Sequence, residues 1–319
     1  MNKLHAITLP VLSKHFRLLL VVAFGKTFRR SALPALLLFS GAGCARLTPE
    51  MKSGFQNYVL DYNTPIDAAL QSELVAIDAR LRPQYGMTTE QTAVGVLDLR
   101  RQRLAMIHPD RIDYAASVPK IGILLAWFQL HPKAGTNLDA QTRHELGLMI
   151  KQSNNELASK YSREVGLKQI QQVLDTYGFY DAKHGGGLWV GKHYGQDHER
   201  YGDPLANHSH AATVRQLLRY YLLLEQGRLV SPEASKTMRE IFASPDIPHL
   251  PDKFVKGLAG RDVQLLRKSG WWEDWFHDTA IVTGARRHYI IVAMTHHPNG
   301  DAYLETFSHA IDDLMMRPH

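Results

Sequence analysis

Hydrophobic and polar residues follow two different periods along the chain, and the period changes from one segment to the next. In TPIDAALQSELVAIDARL, which starts at Thr64, apolar residues recur at helical spacing. Thr64 is a suitable N-cap and Pro65 takes the first helical position, so this pattern predicts a helix. The stretches TAVGVLDLR and RLAMIHP that follow predict two short strands forming a hairpin.

The remaining pattern places helices between two strand-rich ends. A helix-rich middle is predicted from about 137 to 243, followed by three strand candidates and a closing helix from about 302 to 316. Strands at both ends of a helical middle favour an α+β fold in which the terminal segments share one antiparallel sheet.

The N-terminal residues do not fit this domain pattern. KTFRRSALPALLLFSGAGC places basic residues before a short apolar stretch that ends in small residues, which is typical of an export signal. Residues 1–43 are therefore predicted to be a signal peptide, and residues 44–63 a tether. Cys44 follows a Gly-Ala-Gly sequence and resembles the acceptor of a bacterial lipoprotein signal. A lipidated protein, a soluble secreted product and an uncleaved anchor remain open alternatives.

Composition restricts the class of protein. With 45% hydrophobic and 21% charged residues, the 319-residue chain can form a globular core. The net charge of +6 is spread along the chain, so no nucleic-acid partner is expected. Cys44 is the one cysteine, so an intramolecular disulfide is impossible and the exported domain must be stable through its core alone.

The stretch YAASVPKIGILLAWFQL places Ser117 three residues before Lys120 at the start of a long apolar run. Because Pro119 is tolerated in the first turn of a helix, a helix is predicted to begin near Ser117. Residues three apart share a helix face, so Lys120 can reach the Ser117 hydroxyl. A lysine whose pKa is lowered by burial or by other cations can activate that serine as a nucleophile. On this motif alone, an N-cap serine followed by a snorkelling lysine is the favoured alternative.

Two further stretches reverse that preference. MIKQSNNELASKY contains SNN at residues 153–155, and LLRKSGWWEDW contains KSG at residues 268–270, at the end of a strand candidate. In order and spacing, the three stretches resemble the S-x-x-K, S-D-N and K-T-G elements of class A β-lactamases and penicillin-binding proteins. The resemblance covers about residues 64–316.

This resemblance implies a fold and a set of catalytic roles. The fold is expected to be β-lactamase/transpeptidase-like, with an antiparallel sheet flanked by helices and an all-helical subdomain at about 117–243. The active site is expected in the cleft between these two parts. Ser117 corresponds to the nucleophile, Lys120 to its proton acceptor, and Ser153 to the hydroxyl that relays a proton to the leaving nitrogen.

The resemblance also implies a set of substrate-binding positions, which are Asn155, Lys268, Ser269, Gly270 and Trp271. Asn155 corresponds to the side chain that binds the substrate amide, and Lys268 and Ser269 to those that bind its carboxylate. The backbone N–H groups of Ser117 and Trp271 would form the oxyanion hole. Trp271, with Trp272 and Trp275, forms either a substrate wall or a packed aromatic cluster.

The region between the second and third motifs departs from the family pattern. Class A β-lactamases carry a Glu-x-x-Leu-Asn loop there, whose glutamate activates the water that releases the acyl intermediate. Here the expected position falls near His193, in a stretch without a carboxylate. Glu199 and Asp203 are nearby candidates for the base, and ordinary loop charges are the alternative. Without a positioned base, acylation can proceed while deacylation stalls.

Other residues in this region suggest different chemistry. HGGG at residues 184–187 looks like the oxyanion loop of lipases, but the chain has no G-x-S-x-G turn, so we interpret it as a flexible loop. Five histidines between 184 and 210 lack the spacing of a zinc peptidase and are interpreted as solvated loop side chains. No metal and no cofactor are expected.

Three hypotheses follow from the sequence. The first is an exported, periplasmic or envelope serine hydrolase that opens β-lactam rings through a Ser117 acyl-enzyme. The second is a D,D-peptidase, or a related amidase or esterase, that acts on a cell-wall peptide or small ester and turns β-lactams over slowly. The third is a non-catalytic envelope protein that keeps the fold as a binding module. The polar motif positions all suit chemistry, which favours the first two, and a monomer is the default for the resembled family.

Overall fold

The computed structural model describes residues 54–317, and the predicted signal peptide and Cys44 lie outside the described residues. The strands are β1 Thr92–Asp98, β2 Arg103–Ile107, β3 Asp113–Tyr114, β4 Tyr180–Asp181, β5 Gly186–Gly187, β6 Trp189–Val190, β7 His210–Ala212, β8 Val263–Trp272, β9 Trp275–Gly284 and β10 Arg287–His296. The helices are α1 Ala68–Leu81, α2 Lys120–Leu130, α3 Ala140–Lys151, α4 Asn155–Val165, α5 Leu167–Thr176, α6 Val214–Glu225, α7 Pro232–Ala243, α8 Lys253–Gly257 and α9 Gly300–Met316.

A five-stranded antiparallel sheet joins the two ends of the domain. Its order is β2-β1-β10-β9-β8, so β1 near the start of the domain pairs with β10 near its end. Val96 lies opposite Ile291 in this pairing. The prediction that the terminal segments share one sheet is confirmed, and β8, which carries the KSG sequence, lies at one edge.

The sheet is covered by helices on both faces, because the side chains of a strand alternate between its two faces. Val94 and Val96 of β1 belong to one buried cluster with residues of α1 and α9. Ala93 and Leu97 belong to the other buried cluster, which includes residues of α2 and α6. The α+β class with an antiparallel sheet flanked by helices is therefore confirmed.

Two predicted helix starts are wrong by a few residues. Helix α1 begins at Ala68, and its N-cap is Asp67, whose carboxylate accepts the Leu70 N–H at 2.8 Å. Thr64 instead accepts the Asp61 N–H at 2.8 Å within the preceding turn. Both residues are good caps, so the sequence alone does not decide between them. Helix α2 begins at Lys120 rather than near Ser117.

The predicted boundary between tether and domain at residue 64 is too late. Phe55 and Leu60 are buried in the core. The side-chain amide of Gln226 donates to the carbonyls of Phe55 and Tyr58, each at 2.7 Å. The described part of the predicted tether therefore packs on the domain.

The predicted all-helical subdomain contains short strands as well as helices. β3 and β6 pair with β7, and β4 pairs with β5. Strands of two or three residues are too short to show a period in the sequence, so they were not predicted. Within residues 54–317, no helix combines the length and apolarity that a membrane span requires.

Candidate active site

Ser117 lies in a tight turn between β3 and α2 and is half-buried. Ala116, just before it, adopts φ 48°, in the left-handed region that residues with a Cβ rarely occupy. Pro119 stands at the N-cap of α2 and no side chain caps that helix end. Ser117 is therefore not an N-cap serine, and this alternative is wrong.

Lys120 is fully buried, because α2 is covered on all sides. Its Nζ donates to the Ser153 carbonyl at 2.5 Å, to Ser153 Oγ at 3.2 Å and to Asn155 Oδ1 at 2.7 Å. The snorkelling alternative is therefore also wrong. Burial lowers the pKa of Lys120 to about 7, so an amine able to accept a proton is well populated near neutral pH.

Ser153 and Asn155 are positioned by the junction of α3 and α4. Ser153 adopts φ 56°, which turns the chain sharply after α3. Asn154 is the N-cap of α4, and its side chain accepts the Leu157 N–H at 2.8 Å. The helix start therefore fixes the two flanking side chains that contact Lys120.

Lys268 approaches Ser153 from the edge strand β8. Its Nζ donates to Ser153 Oγ at 2.9 Å and to the Ser269 carbonyl at 2.5 Å, and the side chain is fully buried. Burial, reinforced by the charge of Lys120, holds the pKa of Lys268 well below its ordinary value. A carboxylate that enters beside Lys268 would favour its protonated form.

Gly270 is the point at which β8 meets the turn that carries Ser117. A Cβ at this position would lie 2.8 Å from the Ala115 carbonyl oxygen and 3.2 Å from the Ser117 nitrogen. Any side chain would therefore push the strand away from the nucleophile.

The register of the β8–β9 hairpin leaves the Trp271 N–H without a hydrogen bond to β9. Trp272 lies opposite Trp275 across the two-residue turn of the β8–β9 hairpin, and such a closing pair exchanges both hydrogen bonds. Hydrogen-bonded and free pairs alternate along an antiparallel ladder, so Trp271 faces Phe276 without ladder hydrogen bonds. The N–H groups of Ser117 and Trp271, on either side of Gly270, are thus available to an oxyanion.

Strand β8 is held by groups of β9 and α6 that no sequence motif indicated. The Lys268 carbonyl accepts the Thr279 hydroxyl at 2.8 Å, and the Tyr221 hydroxyl lies 2.8 Å from the same Thr279 oxygen. Arg267 forms a buried ion pair with Asp278, at 2.7 Å between Nη2 and Oδ2. The Lys268 carbonyl and the Arg267 guanidinium thereby anchor β8 to β9.

Neither candidate carboxylate contacts Lys120. Glu199 is half-exposed, and its Oε2 lies 3.5 Å from His193 Nε2. Asp203 is buried and accepts the N–H groups of Leu205 and Ala206, each at 3.0 Å. Asp203 is therefore a structural anchor of its loop. Within the described part of the chain, Lys120 forms no ion pair with a carboxylate.

Tyr194, next to His193 in the sequence, contacts Lys120 and was not among the predicted site residues. Its ring centroid lies 4.4 Å from Lys120 Nζ, and its hydroxyl donates to the Ala116 carbonyl at 3.0 Å. The sequence feature that could have indicated Tyr194 is its position next to His193, where the Glu-x-x-Leu-Asn motif of the family is absent. Its residue type alone suggests no role.

The histidine-rich region is more ordered than predicted. His193 and His210 are buried, so the interpretation as solvated side chains is wrong for both. His193 Nδ1 lies 2.7 Å from Ser162 Oγ, and His210 Nε2 lies 3.0 Å from the Lys192 carbonyl oxygen. Between residues 54 and 317, no cluster of acidic, histidine or cysteine side chains is arranged to hold a metal ion.

The glycines of β5 are buried and paired with β4, so they are not a flexible loop.

The three tryptophans near the KSG sequence were predicted to form either a substrate wall or a packed aromatic cluster, and they differ in exposure. Trp275 is packed, with its ring stacked on His296 at a centroid separation of 3.8 Å. Trp271 and Trp272 are 64% and 57% exposed. Trp271, directly after Gly270, is therefore free to contact a substrate.

Comparison with known proteins agrees with this geometry. Residues 136–314, more than half of the chain, match the Beta-lactamase enzyme family. The matched region includes the SNN and KSG sequences, whereas Ser117 and Lys120 precede it. No curated protein sequence matches the chain.

Several solved structures are similar over most of the chain. A β-lactamase from Sphaerobacter thermophilus DSM 20745 is 16% identical, with a TM-score of 0.63 over 79% of this chain and 98% of that chain. A β-lactamase from Chitinophaga pinensis DSM 2588 is 15% identical, with a TM-score of 0.59 over 77% and 99% of the two chains. The protein PBP-A is 15% identical, with a TM-score of 0.58 over 80% and 98%.

At these identities the structural likeness establishes the fold, while the family match establishes the relationship. The chain therefore belongs to the Beta-lactamase enzyme family and is a serine hydrolase of β-lactamase-like fold.

Proposed function

We propose that the protein is an exported serine hydrolase that forms an acyl-enzyme at Ser117 and opens β-lactam rings. The observation that carries this proposal is the convergence of two buried lysines on one hydroxyl. Lys120 Nζ and Lys268 Nζ lie 3.2 Å and 2.9 Å from Ser153 Oγ. A proton acceptor, a proton relay and a binding site for a carboxylate are thereby held next to the Ser117 turn.

Acylation begins with proton transfer from Ser117 to the neutral amine of Lys120. The pKa of Lys120, lowered by burial to about 7, suits this role near neutral pH. The serine oxygen then bonds to the lactam carbonyl carbon, and the carbonyl electron pair moves to its oxygen. The N–H groups of Ser117 and Trp271 stabilise the resulting oxyanion.

Ring opening requires a proton for the leaving nitrogen. As the oxyanion collapses, the carbon–nitrogen bond breaks and the nitrogen takes a proton from Ser153 Oγ. Lys120 returns its own proton to Ser153, to which it is hydrogen-bonded. The product is an ester at Ser117 and a neutral Lys120, so the proton count balances. A substrate carboxylate would bind beside Lys268 and Ser269.

A second candidate is a D,D-peptidase, or a related amidase or esterase, that turns β-lactams over slowly. The observation that favours it is Tyr194, whose ring contacts Lys120 and which follows His193, near which the sequence places the missing water-activating carboxylate. Glu199 is directed to His193 instead. Among residues 54–317 no carboxylate pairs with Lys120, and without a group that activates water the ester at Ser117 would persist.

The two candidates are separated by intact-mass measurements over time on the protein mixed with benzylpenicillin. The Ser117→Ala variant is the control. Complete, Ser117-dependent conversion of the drug with a transient adduct supports the β-lactamase. A lasting Ser117-dependent adduct supports the second candidate. If neither adduct nor conversion appears, both β-lactam proposals fail, and esters or a binding role must be examined.

The proposed export and envelope location rest on the N-terminal leader sequence. Cell fractionation of the full chain tests the location. Incorporation of labelled fatty acid, compared with the Cys44→Ser variant, tests lipidation. A full-length protein in the cytoplasm would contradict the proposed export. A protein without fatty-acid label would contradict lipidation at Cys44.

A further inference from the structure

Tyr194 contacts both residues on which acylation at Ser117 depends. Its hydroxyl donates to the Ala116 carbonyl at 3.0 Å, and its ring lies 4.4 Å from Lys120 Nζ. The side chain is buried, with the His210 ring packed at a centroid separation of 4.2 Å. Burial holds the pKa of Tyr194 well above its ordinary value, so its hydroxyl remains a hydrogen-bond donor throughout the working pH range.

The hydrogen bond to Ala116 acts on the nucleophile through a rigid unit. The Ala116 carbonyl and the Ser117 N–H belong to the same planar peptide group and point in opposite directions. Whatever fixes the direction of this carbonyl oxygen therefore fixes the direction of the N–H. That N–H is one of the two donors available to the oxyanion.

This peptide group needs such support, because the chain is strained on its N-terminal side. Ala116 holds φ 48°, a conformation that persists in a residue with a Cβ when surrounding contacts enforce it. Neighbouring backbone bonds hold the ends of the turn, with the Ala115 N–H on the His210 carbonyl at 2.9 Å and the Val118 N–H on the Ala115 carbonyl at 3.0 Å. The Tyr194 hydroxyl holds its centre.

We propose that Tyr194 is a positioning residue that directs the Ser117 N–H at the developing oxyanion by binding the carbonyl at the other side of the same peptide group. The inference rests on the proposed acylation at Ser117. It gives a role to a side chain that contacts both Ala116 and Lys120 and follows His193, near which the family motif is expected. Accepting the hydrogen bond also polarises the peptide group, which strengthens its N–H as a donor.

The test is the Tyr194→Phe variant, which removes the hydroxyl and keeps the ring over Lys120. Tyr220→Phe is a matched control, because the buried Tyr220 hydroxyl donates at 2.9 Å to the carbonyl of Ile121, the residue after Lys120 in α2. Each change removes one buried hydrogen bond to a backbone carbonyl. The acylation rate with benzylpenicillin is measured against drug concentration and pH, and urea unfolding is followed in parallel.

Tyr194→Phe is expected to lower the limiting acylation rate about 10-fold and to leave the half-saturating drug concentration unchanged. Its pH midpoint should match that of the unchanged protein, because the groups that surround Lys120, including Lys268, His210 and the ring itself, remain in place. Tyr220→Phe is expected to lose similar stability with an acylation rate within about twofold.

An equal limiting rate in Tyr194→Phe and the unchanged protein overturns the inference, as does a change confined to the half-saturating concentration. A similar rate loss in Tyr220→Phe also overturns it, because the effect would then be one of stability. If the unchanged protein forms no Ser117-dependent adduct, the proposed function fails and the inference falls with it. If the unchanged protein and Tyr194→Phe are acylated at equal rates, the inference about Tyr194 is wrong while the proposed function stands.

Discussion

The edge strand β8 and the segment of residues 179–212 border the same serine, yet they hold their side chains in different ways. β8 pairs with β9 along its whole length, from Val263 to Trp272. In the segment 179–212, strands β4 to β7 are two or three residues long, and side-chain hydrogen bonds such as that of His193 to Ser162 anchor the chain. A regular ladder fixes side chains at positions that a sequence motif can reveal. An irregular segment fixes them through distant contacts that no motif records.

The two regions also differ in the chemistry that they present to the site. β8 contributes buried cations, Arg267 and Lys268, balanced in part by Asp278 of β9. The segment 179–212 contributes the aromatic ring of Tyr194 and neutral, buried histidines. Lys120 contacts the Tyr194 ring from the segment 179–212. It is linked to β8 through Ser153 Oγ, which accepts hydrogen bonds from both Lys120 and Lys268.

Removal of the Lys120 amine is expected to produce the largest effect, because this amine is the proposed proton acceptor for Ser117. Lys120→Met keeps the length and burial of the side chain but cannot accept a proton. The acylation rate with benzylpenicillin should fall by about 10²–10⁴. In the unchanged protein the rate should rise with pH to a plateau above about 7, since a protonated Lys120 cannot act as base.

Stopped-flow acylation measurements across pH test both statements, with unfolding curves to confirm that Lys120→Met is folded. A folded Lys120→Met variant that acylates at the unchanged rate would show that another group is the base. A pH midpoint two or more units above 7 would show that Lys120 is more accessible to water than the structure indicates.

Breaking the ion pair behind β8 is expected to cause the largest loss of stability. Asp278→Asn leaves partly exposed Asp252 as the remaining carboxylate partner of the buried Arg267 guanidinium, so the expected cost is about 3 kcal/mol, the low end for a broken buried pair. Glu240→Gln is the control, because its pair with Arg143 is exposed and should contribute at most about 1 kcal/mol. Urea unfolding measures both variants. Equal losses would mean that the buried pair does not anchor the strand.

The contrast between the regions also explains what the sequence could predict. The KSG sequence was predicted at the end of a strand, and residues 268–270 do lie near the end of β8, where Lys268 contacts Ser153, because a strand keeps its motif residues at fixed spacing. The family carboxylate could be predicted as missing, but the contacts of Tyr194 with Lys120 and Ala116 could not. Tyr194 meets Ala116 across 78 residues of chain, and only the fold brings such residues together. The error at Thr64 was local, since Asp67 competes for the same cap.

Acid should weaken the segment 179–212 and strand β9, which pairs with β8, through a buried histidine in each. Burial lowers the pKa of His210 in β7 and of His277 in β9 to about 3, from an ordinary value of 6.5. The unfolded chain protonates these histidines below pH 6.5 while the folded chain does not, so their stabilisation is complete above about pH 6.5 and is lost as the pH falls toward 3. At pH 5 the expected loss is about 2 kcal/mol for each histidine.

Urea unfolding at pH 7 and pH 5 checks this expectation in the unchanged protein, in His210→Gln and in His277→Gln. Each variant should remove a similar share of the pH dependence, His210→Gln that of the segment 179–212 and His277→Gln that of β9. If the His277→Gln variant loses stability between the two pH values as steeply as the unchanged protein, His277 is not held neutral in the fold.

The smallest expected effect comes from Glu199, the carboxylate that the sequence suggested as the missing base. Because its Oε2 lies 3.5 Å from His193 and its side chain is half-exposed, Glu199→Gln should change the rate of release of the Ser117 ester by less than about twofold. The rate is measured by intact mass after excess benzylpenicillin is removed, with the exposed Glu240→Gln variant as control. A loss of a hundredfold or more would mean that the segment 179–212 moves during the reaction and brings Glu199 to the ester. The irregular region would then be mobile as well as unpredictable, while β8 keeps its position.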